Sequence, residues 1–315
     1  MRSVIKRVIE KNGHYQTLYP ELNRVREAIT YQTEKILTQD KDFLELYWSQ
    51  QNAKNLIILT HGMEGHANQH YMNGMAQTFI AAGFDILAWN QRTCGKEINT
   101  TAGFYHGGCY QDLHQVVSHG LAKKKYQGVF LIGFSLGANI TLRYLGERGI
   151  KHPDCIKGAV AISVPCDLKG SSIQIDKMQN FIYAKYFMKS IREKAKLKWQ
   201  TTGNNYYAKF IKARKISAIN ELMAPLHGFK NAEDYYQKSS SLHVLKHIQL
   251  PCLILNALND PFLPASCYPE KIMKSNPLIR LQTPKYGGHV GFYNSSDGSY
   301  ESEKAAKKFI EGVLN

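Results

Sequence analysis

The sequence predicts an α/β protein whose central sheet is mostly parallel and is covered by helices on both faces. In its first half, apolar runs of strand length alternate with segments of helical spacing, and the runs at 55–60 and 129–132 have the composition of buried strands. A long stretch without a convincing strand interrupts this alternation between 168 and 246, and the alternation resumes at 252.

Length and composition are those of an ordinary soluble globular protein. The 315 residues are 43% hydrophobic and 21% charged, which is enough chain for one large domain or two small ones. The sequence has no uninterrupted apolar run of about 18 residues, and its N-terminus lacks the apolar core of a signal peptide, so we expect a cytoplasmic protein without a membrane span. The six cysteines show no C-x-x-C pair and no metal-ligand spacing with histidine, so reduced thiols are expected, and neither a metal nor a cofactor is predicted.

Strands and helices are expected in a regular order. Residues 1–40 show no clear core pattern, and Gly13 to Pro20 is expected to be a loop. The elements predicted before residue 125 are a half-exposed strand at 43–48, a buried strand at 55–60, a helix at about 70–82 that Gly83 closes, a strand at 84–89 and a helix near 110–124. The later elements are strands at 129–132, 158–164, 252–258 and 279–282, a helix that ends at Gly146 and a closing helix at 302–314.

The stretch at about 168–246 has the size and position of a helical cap inserted over an active site. We therefore expect a single domain over residues 1–315 that carries this cap, with a separate small domain as the alternative.

One segment has the pattern of a nucleophile elbow. The strand at 129–132 leads directly into Gly133-Phe134-Ser135-Leu136-Gly137, and helical spacing follows from Ala138 to Gly146. A strand, a G-x-S-x-G turn and a helix in this order hold a serine hydroxyl clear of the sheet, and the glycines let the two backbones pass closely. Ser135 is therefore the candidate nucleophile.

A serine nucleophile needs a base, and the base needs a group that orients it. In elbow-type enzymes the acid and then the histidine follow the serine along the chain, each after a strand. Asp260 follows the strand at 252–258 and His289 follows the next one, so both would lie at the carboxyl edge of the sheet. Asp260 is preferred over Asp167, Glu233 and Asp234 because it directly follows a late apolar strand. The alternatives are a turn residue in Asn-Asp-Pro and an ordinary loop histidine.

Acyl transfer also needs donors to the oxyanion, which are usually backbone N–H groups. The residue after the nucleophile supplies one donor, so Leu136 is predicted. The loop after an earlier strand supplies the other, and Met63 in His61-Gly62-Met63-Glu64-Gly65 is the candidate, with a tight turn as the alternative for Gly62.

With these motifs the chain resembles the YheT-like (EMB8-type) branch of the α/β-hydrolase superfamily, which includes the ABHD1/ABHD3-type lipid hydrolases of animals. The motifs span residues 13–292 in order, so the resemblance covers nearly the whole chain. The matching segments are 13–20, 61–65, Arg92 with Cys94 and Asn99, 105–108, 133–139, 224–229, 234–236, 256–261 and 287–292. The resemblance implies an α/β-hydrolase fold with catalytic residues at Ser135, Asp260 and His289.

The chain departs from the family pattern at two loops and at Ala138, where the family's elbow has its last glycine. The family's Arg-Gly-Cys-Ser-Gly is Arg92-Thr93-Cys94-Gly95-Lys96 here, and its Tyr-His-Ser-Gly is Tyr105-His106-Gly107-Gly108. These changes leave the candidate triad intact but could alter a pocket wall. For Arg92, His106 and Asp112 we expect structural support of the active-site floor, with a phosphate or carboxylate contact by Arg92 as the alternative.

The net charge of +15 is unusual. A nucleic-acid partner, an anionic membrane surface, acidic substrates or simple solubility would each account for it. Within 177–215 there are eleven Lys and Arg residues and a single acid, Glu193. Helical spacing there predicts an apolar face of Phe181, Ala184, Met188, Ile191 and Ala195 and a basic stripe of Lys185, Lys189, Arg192 and Lys196.

The basic stripe is interpreted as a solvated surface. Docking to anionic lipid at the inner membrane surface is the alternative, and nucleic acid comes third because no recognisable reading motif accompanies the charge.

The sequence thus predicts a serine hydrolase that cleaves carboxylic esters of a small molecule or lipid through an acyl-enzyme. The alternative is a basic protein that binds a membrane surface or nucleic acid on a hydrolase fold, since a fold alone does not determine function. The acyl chain, the alcohol, the acyl acceptor and the oligomeric state are left open.

Overall fold

A computed structural model describes residues 11–24, 28–147 and 152–315, so the expectations for residues 1–10 lie outside the described part of the chain. Within these ranges eight strands form one sheet in the order β1-β2-β4-β3-β5-β6-β7-β8. The strands are β1 Gln32–Leu37, β2 Phe43–Ser49, β3 Asn55–Thr60, β4 Asp85–Asn90, β5 Gly128–Phe134, β6 Ile156–Ile162, β7 Cys252–Leu255 and β8 Ile279–Gln282. Strands β3 to β8 run parallel to one another, whereas β2 is antiparallel to both β1 and β4. The predicted mostly parallel sheet is confirmed.

Helices cover both faces of this sheet. The helices in the described ranges are α1 Gly13–Asn23, α2 His70–Ala81, α3 Tyr110–Lys123, α4 Leu136–Gly146, α5 Leu168–Ile175, α6 Phe181–Thr202, α7 Tyr207–Lys212, α8 Ile216–Met223, α9 Ala232–Ser239, α10 Glu270–Ser275 and α11 Glu301–Leu314. Side chains alternate along a strand, so Leu56 and Ile58 of β3 pack with α3 and α4 on one face, while Ile57 and Leu59 pack with α2 and α11 on the other. None of the helices in the described ranges is long and apolar enough to cross a bilayer.

The residues between β6 and β7, from 168 to 247, form what we call the helical segment. It contains α5 to α9 and short 3-10 turns, and it has no strand, as predicted. Its apolar side chains form a separate cluster that includes Met188 and Ile219 and that also contacts Phe104 and Phe262 from loops at the carboxyl edge of the sheet. The helical segment therefore lies over the edge where the candidate residues were expected.

Two predictions at the N-terminal end were wrong, and one strand there was not predicted. Residues from Gly13 form the helix α1 and not a loop, and the Asn12 side chain accepts hydrogen bonds from two of its first N–H groups. The buried residues of α1 are Gln16 and Pro20, so it carries no apolar stripe that a sequence pattern could reveal. Strand β1 was not predicted because its residues are largely exposed. Strand β2 is buried and not half-exposed because Leu44 and Leu46 pack in the core on one face of the sheet and Tyr47 packs in the core on the other.

The predicted faces of α6 are partly correct. Met188, Ile191 and Ala195 are buried, but Phe181 is 56% exposed because it begins the helix and extends past the apolar cluster. Lys198 is buried on the inner face of the helix, where its ammonium donates to the carbonyl oxygens of Asn99 and Thr101. The basic residues are therefore divided between the two faces of α6.

Candidate functional site

Ser135 lies between the last residue of β5 and the first residue of α4 with φ 51° and ψ −121°. This left-handed conformation is strained for a residue with a side chain, and the surrounding packing has to maintain it. At Gly137 a Cβ would lie 2.4 Å from the carbonyl oxygens of Thr60 and His61, so only glycine lets α4 start this close to β3. The result is a serine whose side chain stands at the carboxyl edge of the sheet.

The predicted triad residues form one hydrogen-bonded chain. His289 Nε2 lies 2.8 Å from Ser135 Oγ, and His289 Nδ1 lies 2.9 Å from Asp260 Oδ2. The carboxylate of Asp260 is fully buried, and its Oδ1 accepts the backbone N–H of Phe262 at 2.9 Å. The acid therefore has partners for both oxygens, and the imidazole has one ring nitrogen toward each of the other two residues.

The loop that carries His289 is held by side chains that the sequence reasoning missed. The N–H groups of residues 287 to 290 donate, in order, to Gln16 Oε1, Asn259 Oδ1, Thr17 Oγ1 and Ser163 Oγ at 2.6 to 2.9 Å. Two of these acceptors lie on α1. Their only signal in the sequence was the family-like segment 13–20, because a hydrogen bond to a distant loop leaves no periodic pattern.

The other acidic residues considered for the triad are engaged elsewhere. Asp167 caps the start of α5 and accepts the hydroxyl of Ser266. Glu233 pairs with Lys169, and Asp234 pairs with Lys238. Among these carboxylates only Asp260 contacts His289.

Met63 and Leu136, the candidate oxyanion donors, both lie beside Ser135 and line the same cavity. Leu136 is the first residue of α4, so its N–H is one of those that a helix leaves without an intrahelical partner. Met63 is the second residue of a tight turn in which Gly65 N–H donates to Gly62 O at 3.1 Å. A Cβ at Gly62 would lie 3.0 Å from Ser135 Cβ, so glycine lets this turn approach the serine.

Two cavities meet at Ser135, and both are lined by Met63, Glu64, Phe262 and His289. The inner cavity extends under the helical segment and is lined mainly by apolar side chains, among them Leu136, Leu168, Ile175, Ile191, Ile219 and Met223. The outer groove runs between α1 and α6 and reaches the surface at Leu22, Ile182 and Tyr186, which are 78%, 54% and 58% exposed. Ser135 is thus accessible to a substrate that extends into both the inner cavity and the outer groove.

Comparison with known proteins identifies the family. The family model described as "Serine aminopeptidase, S33" (Hydrolase_4) matches residues 51–267, more than half of the chain, and ends before His289. The chain belongs to this α/β-hydrolase family.

Relatives agree with this assignment. The chain is 29% identical to the putative esterase YheT of Escherichia coli (strain K12), over 89% of this chain and 84% of that protein. It is 25% identical to the phospholipase ABHD3 of Bos taurus, over 95% of this chain and 76% of that protein. The predicted resemblance to the YheT-like and ABHD-type members of the superfamily is confirmed.

A solved structure shares the fold. The Pyrococcus furiosus esterase Pf2001 superposes with a TM-score of 0.63 at 19% sequence identity, covering 93% of this chain and 97% of that one. The predicted α/β-hydrolase fold is confirmed.

Three other histidines near Ser135, namely His61, His106 and His227, are held neutral by burial. Burial lowers the pKa of His61 to about 3 and that of His227 to about 4, and burial beside His227 lowers the pKa of His106 well below its usual value. His61 Nε2 accepts the backbone N–H of Gln91 at 3.0 Å, which a protonated ring could not do. Of these three histidines His106 lines the inner cavity, and its neutral ring adds no charge to that wall at pH 7.

Arg92 is surrounded by carboxylates. Its Nε and Nη2 each donate to Asp112 at 2.8 Å, and Nη1 and Nη2 donate to Asp40 at 2.6 and 3.1 Å. Asp42 lies 3.7 Å away and is fully buried. The guanidinium is therefore occupied by acids of its own chain, which supports the structural role and disfavours a contact with a substrate phosphate. His106 instead lies in the wall of the inner cavity.

We predict that Arg92→Leu lowers the free energy of unfolding by about 3 kcal/mol or more, because it leaves buried carboxylates without their cation. Burial already raises the pKa of Asp112, and loss of Arg92 raises it further. Above pH 4 the folded variant then holds a proton on Asp112 that the unfolded chain has released, so its stability falls as the pH rises. The loss of unfolding free energy relative to the wild type should therefore be larger at pH 7.5 than at pH 5. Urea unfolding at the two pH values measures this. Arg280→Leu, at an exposed position of β8, is the control and should change stability little. Equal stability of both variants would contradict the structural role.

Proposed function

We propose that this protein is a serine hydrolase that cleaves carboxylic esters through an acyl-enzyme, with Ser135, Asp260 and His289 as its catalytic residues. The observation that carries the proposal is the pair of hydrogen bonds that link His289 to Ser135 Oγ at 2.8 Å and to Asp260 at 2.9 Å. The strained turn at Ser135 and the names of the relatives, an esterase and a phospholipase, also support it.

In the proposed mechanism Ser135 Oγ attacks the ester carbonyl carbon while His289 Nε2 takes its proton. Asp260 accepts the Nδ1–H of His289, which keeps Nε2 directed at the serine and stabilises the imidazolium. The N–H groups of Met63 and Leu136 donate to the oxyanion. The tetrahedral intermediate then expels the alcohol, which receives the proton from His289. A water molecule, activated by the same imidazole, hydrolyses the acyl-enzyme and releases the acid.

The cavities favour an ester with an apolar acyl chain. Burying a methylene group from water contributes about 0.8 kcal/mol, so the apolar walls of the inner cavity would reward each carbon of a chain that fits there. We propose that the acyl chain lies in the inner cavity and that the alcohol leaves through the outer groove. The helical segment, which supplies most of the inner cavity's walls, would then act as the cap of a single hydrolase domain.

The exposed face of α6 favours an anionic lipid surface as the place where substrate is met. Lys185, Lys189 and Lys196 are exposed, and Phe181 and Ile182 on the same face are more than half exposed. Apolar side chains among cations are typical of helices that lie in a lipid–water boundary. Ile182 and Tyr186 also line the outer groove, so docking there would bring the membrane to the entrance of the site. A solvated surface remains the alternative.

The alternative function, a basic binding protein without catalysis, fits the net charge of +15. It does not account for a buried carboxylate, an imidazole and a serine in one hydrogen-bonded chain next to an apolar cavity. The geometry therefore favours the enzyme.

Ser135→Ala and His289→Ala should each reduce hydrolysis of p-nitrophenyl esters by thousands-fold, since triad members act as a unit. Asp260→Asn should lose roughly ten-thousand-fold, because a neutral amide neither holds His289 in the required tautomer nor stabilises the imidazolium. A fluorophosphonate probe should label the wild type and fail to label Ser135→Ala. Unchanged circular dichroism provides the control for folding. Near-normal esterase activity in purified Ser135→Ala would rule out the assignment.

Ile219→Phe should shorten the preferred acyl chain, because Ile219 lines the inner cavity. Exclusion of two methylene groups costs about 1.6 kcal/mol, so kcat/KM for the decanoate ester should fall roughly fifteen-fold relative to the acetate ester. Ile310→Phe is the matched control, since Ile310 is a fully buried residue of α11 and lines neither cavity. An unchanged ratio of the two esters in Ile219→Phe would mean that the acyl chain lies elsewhere.

If α6 docks to lipid, the protein should pellet with vesicles that contain phosphatidylserine and should be released by salt. Lys185→Glu with Lys189→Glu should weaken binding by roughly twenty-fold or more, since each basic residue near the surface contributes about 1 kcal/mol. The same charge change at Lys271 and Lys274 of α10, also exposed, is the control. Equal pelleting with neutral and anionic vesicles at low salt would leave α6 as a solvated surface.

A further inference from the structure

Glu64 is a buried carboxylate whose function the triad does not explain. It follows the candidate oxyanion donor Met63, and its side chain is 1% exposed. Oε1 accepts the hydroxyl of Tyr105 at 2.7 Å. Oε2 accepts the hydroxyl of Ser190 and lies 2.8 Å from the ammonium of Lys194, and both of these residues are on α6. The carboxylate therefore joins the turn that carries Met63 to the helical segment.

The backbone of Glu64 requires such support. Glu64 is the third residue of the turn closed by Gly65 N–H and Gly62 O, and its φ is +56°. A side chain is strained in this left-handed region, which is why glycine is usual at this position of a turn. The N–H of Glu64 donates to the Tyr105 hydroxyl at 2.7 Å, so Tyr105 binds both the main chain and the carboxylate of the same residue. These contacts offset the strain and fix the turn beside Ser135.

Lys194 supplies the cation that makes a carboxylate tolerable here. Its side chain is 14% exposed, with the ammonium 3.3 Å from Cys94 Sγ and 5.2 Å from the centre of the Tyr105 ring. Without Lys194, the buried carboxylate of Glu64 would be an unpaired negative charge in the residue next to the oxyanion donor Met63. Its repulsion of the oxyanion would raise the energy of the transition state. Paired with the ammonium, the carboxylate can hold the turn without opposing the reaction.

We propose that Glu64 and Lys194 are positioning residues that hold the Met63 N–H at the oxyanion and cancel the local charge. The inference rests on the proposed function and deepens it, because it makes the helical segment a part of the oxyanion site and not only its cover. Neither side chain needs to touch the reacting atoms for this role.

Lys194→Met tests the proposal, with Lys212→Met as the matched control that loses the same charge from an exposed position on α7 of the helical segment. Turnover is expressed per active site, counted by end-point labelling with a fluorophosphonate. Loss of one oxyanion donor typically costs 10²- to 10³-fold in kcat, so a displaced donor should cost about 10- to 100-fold, with KM little changed. Lys212→Met should keep the wild-type kcat, and Lys194→Arg should recover most of the loss.

An aryl trifluoromethyl ketone separates positioning from mere structural support. Ser135 Oγ adds to its carbonyl carbon, His289 takes the proton, and the ketone oxygen becomes the oxyanion of a stable adduct. Its affinity should therefore fall in Lys194→Met by the same factor as kcat/KM. Wild-type turnover per labelled site, or a loss of kcat with undiminished ketone affinity, would overturn the proposal.

The double variant Glu64→Gln/Lys194→Met keeps the test decisive if Lys194→Met does not fold, since it removes both charges and leaves no unpaired ion. It should still lose ketone affinity and kcat, because α6 no longer holds the turn through the ion pair. Wild-type values in the double variant would overturn the proposal. Failure of the proposed function would give a different result: the wild-type protein would show no ester hydrolysis that is lost in Ser135→Ala.

Discussion

The close approach of three backbone segments around Ser135 is the constraint on which the rest of the site depends. The left-handed turn there can form only because Gly137 and Gly62 lack a Cβ, which lets α4 and the turn at Met63 come within contact of the serine. Once the sheet edge is fixed in this way, the neighbouring strand ends bring an acid and an imidazole to the same point. A substitution at these glycines would therefore disturb the geometry of the whole site.

Three acidic side chains in and around the site are each paired with a basic side chain. Asp260 faces His289, Glu64 faces Lys194, and Asp112 faces Arg92, each at 2.8 or 2.9 Å. A buried ion pair contributes little net stability, but removal of one partner is costly, so such pairs fix positions more than they strengthen the fold. The inner cavity beside Ser135 is lined mainly by apolar side chains, and hydrogen-bond donors are most effective in such an environment.

The lysines of α6 in the helical segment fall into two groups, one that faces inward and one that faces outward. Lys194 and Lys198 face inward, and burial lowers the pKa of Lys198 to about 8 while its ammonium binds two carbonyl oxygens. Lys185 and Lys189 face outward, beside exposed apolar side chains at the mouth of the outer groove. One helix thus braces the turn at Met63 from within and presents a cationic, partly apolar surface outside.

The sequence by itself determined what local patterns encode. Strand–turn–helix order around Ser135, the succession of Asp260 and His289 after later strands, and the class of the sheet were all predictable, because side-chain periodicity and turn chemistry act over a few residues. Only the tertiary structure decided that α1 holds the His289 loop and that Lys194 forms an ion pair with Glu64. Gln16 and Gly287 are 271 residues apart in the chain, and such contacts leave no periodic trace. Periodicity could place lysines on a helix, but burial by neighbouring elements decided which of them face inward.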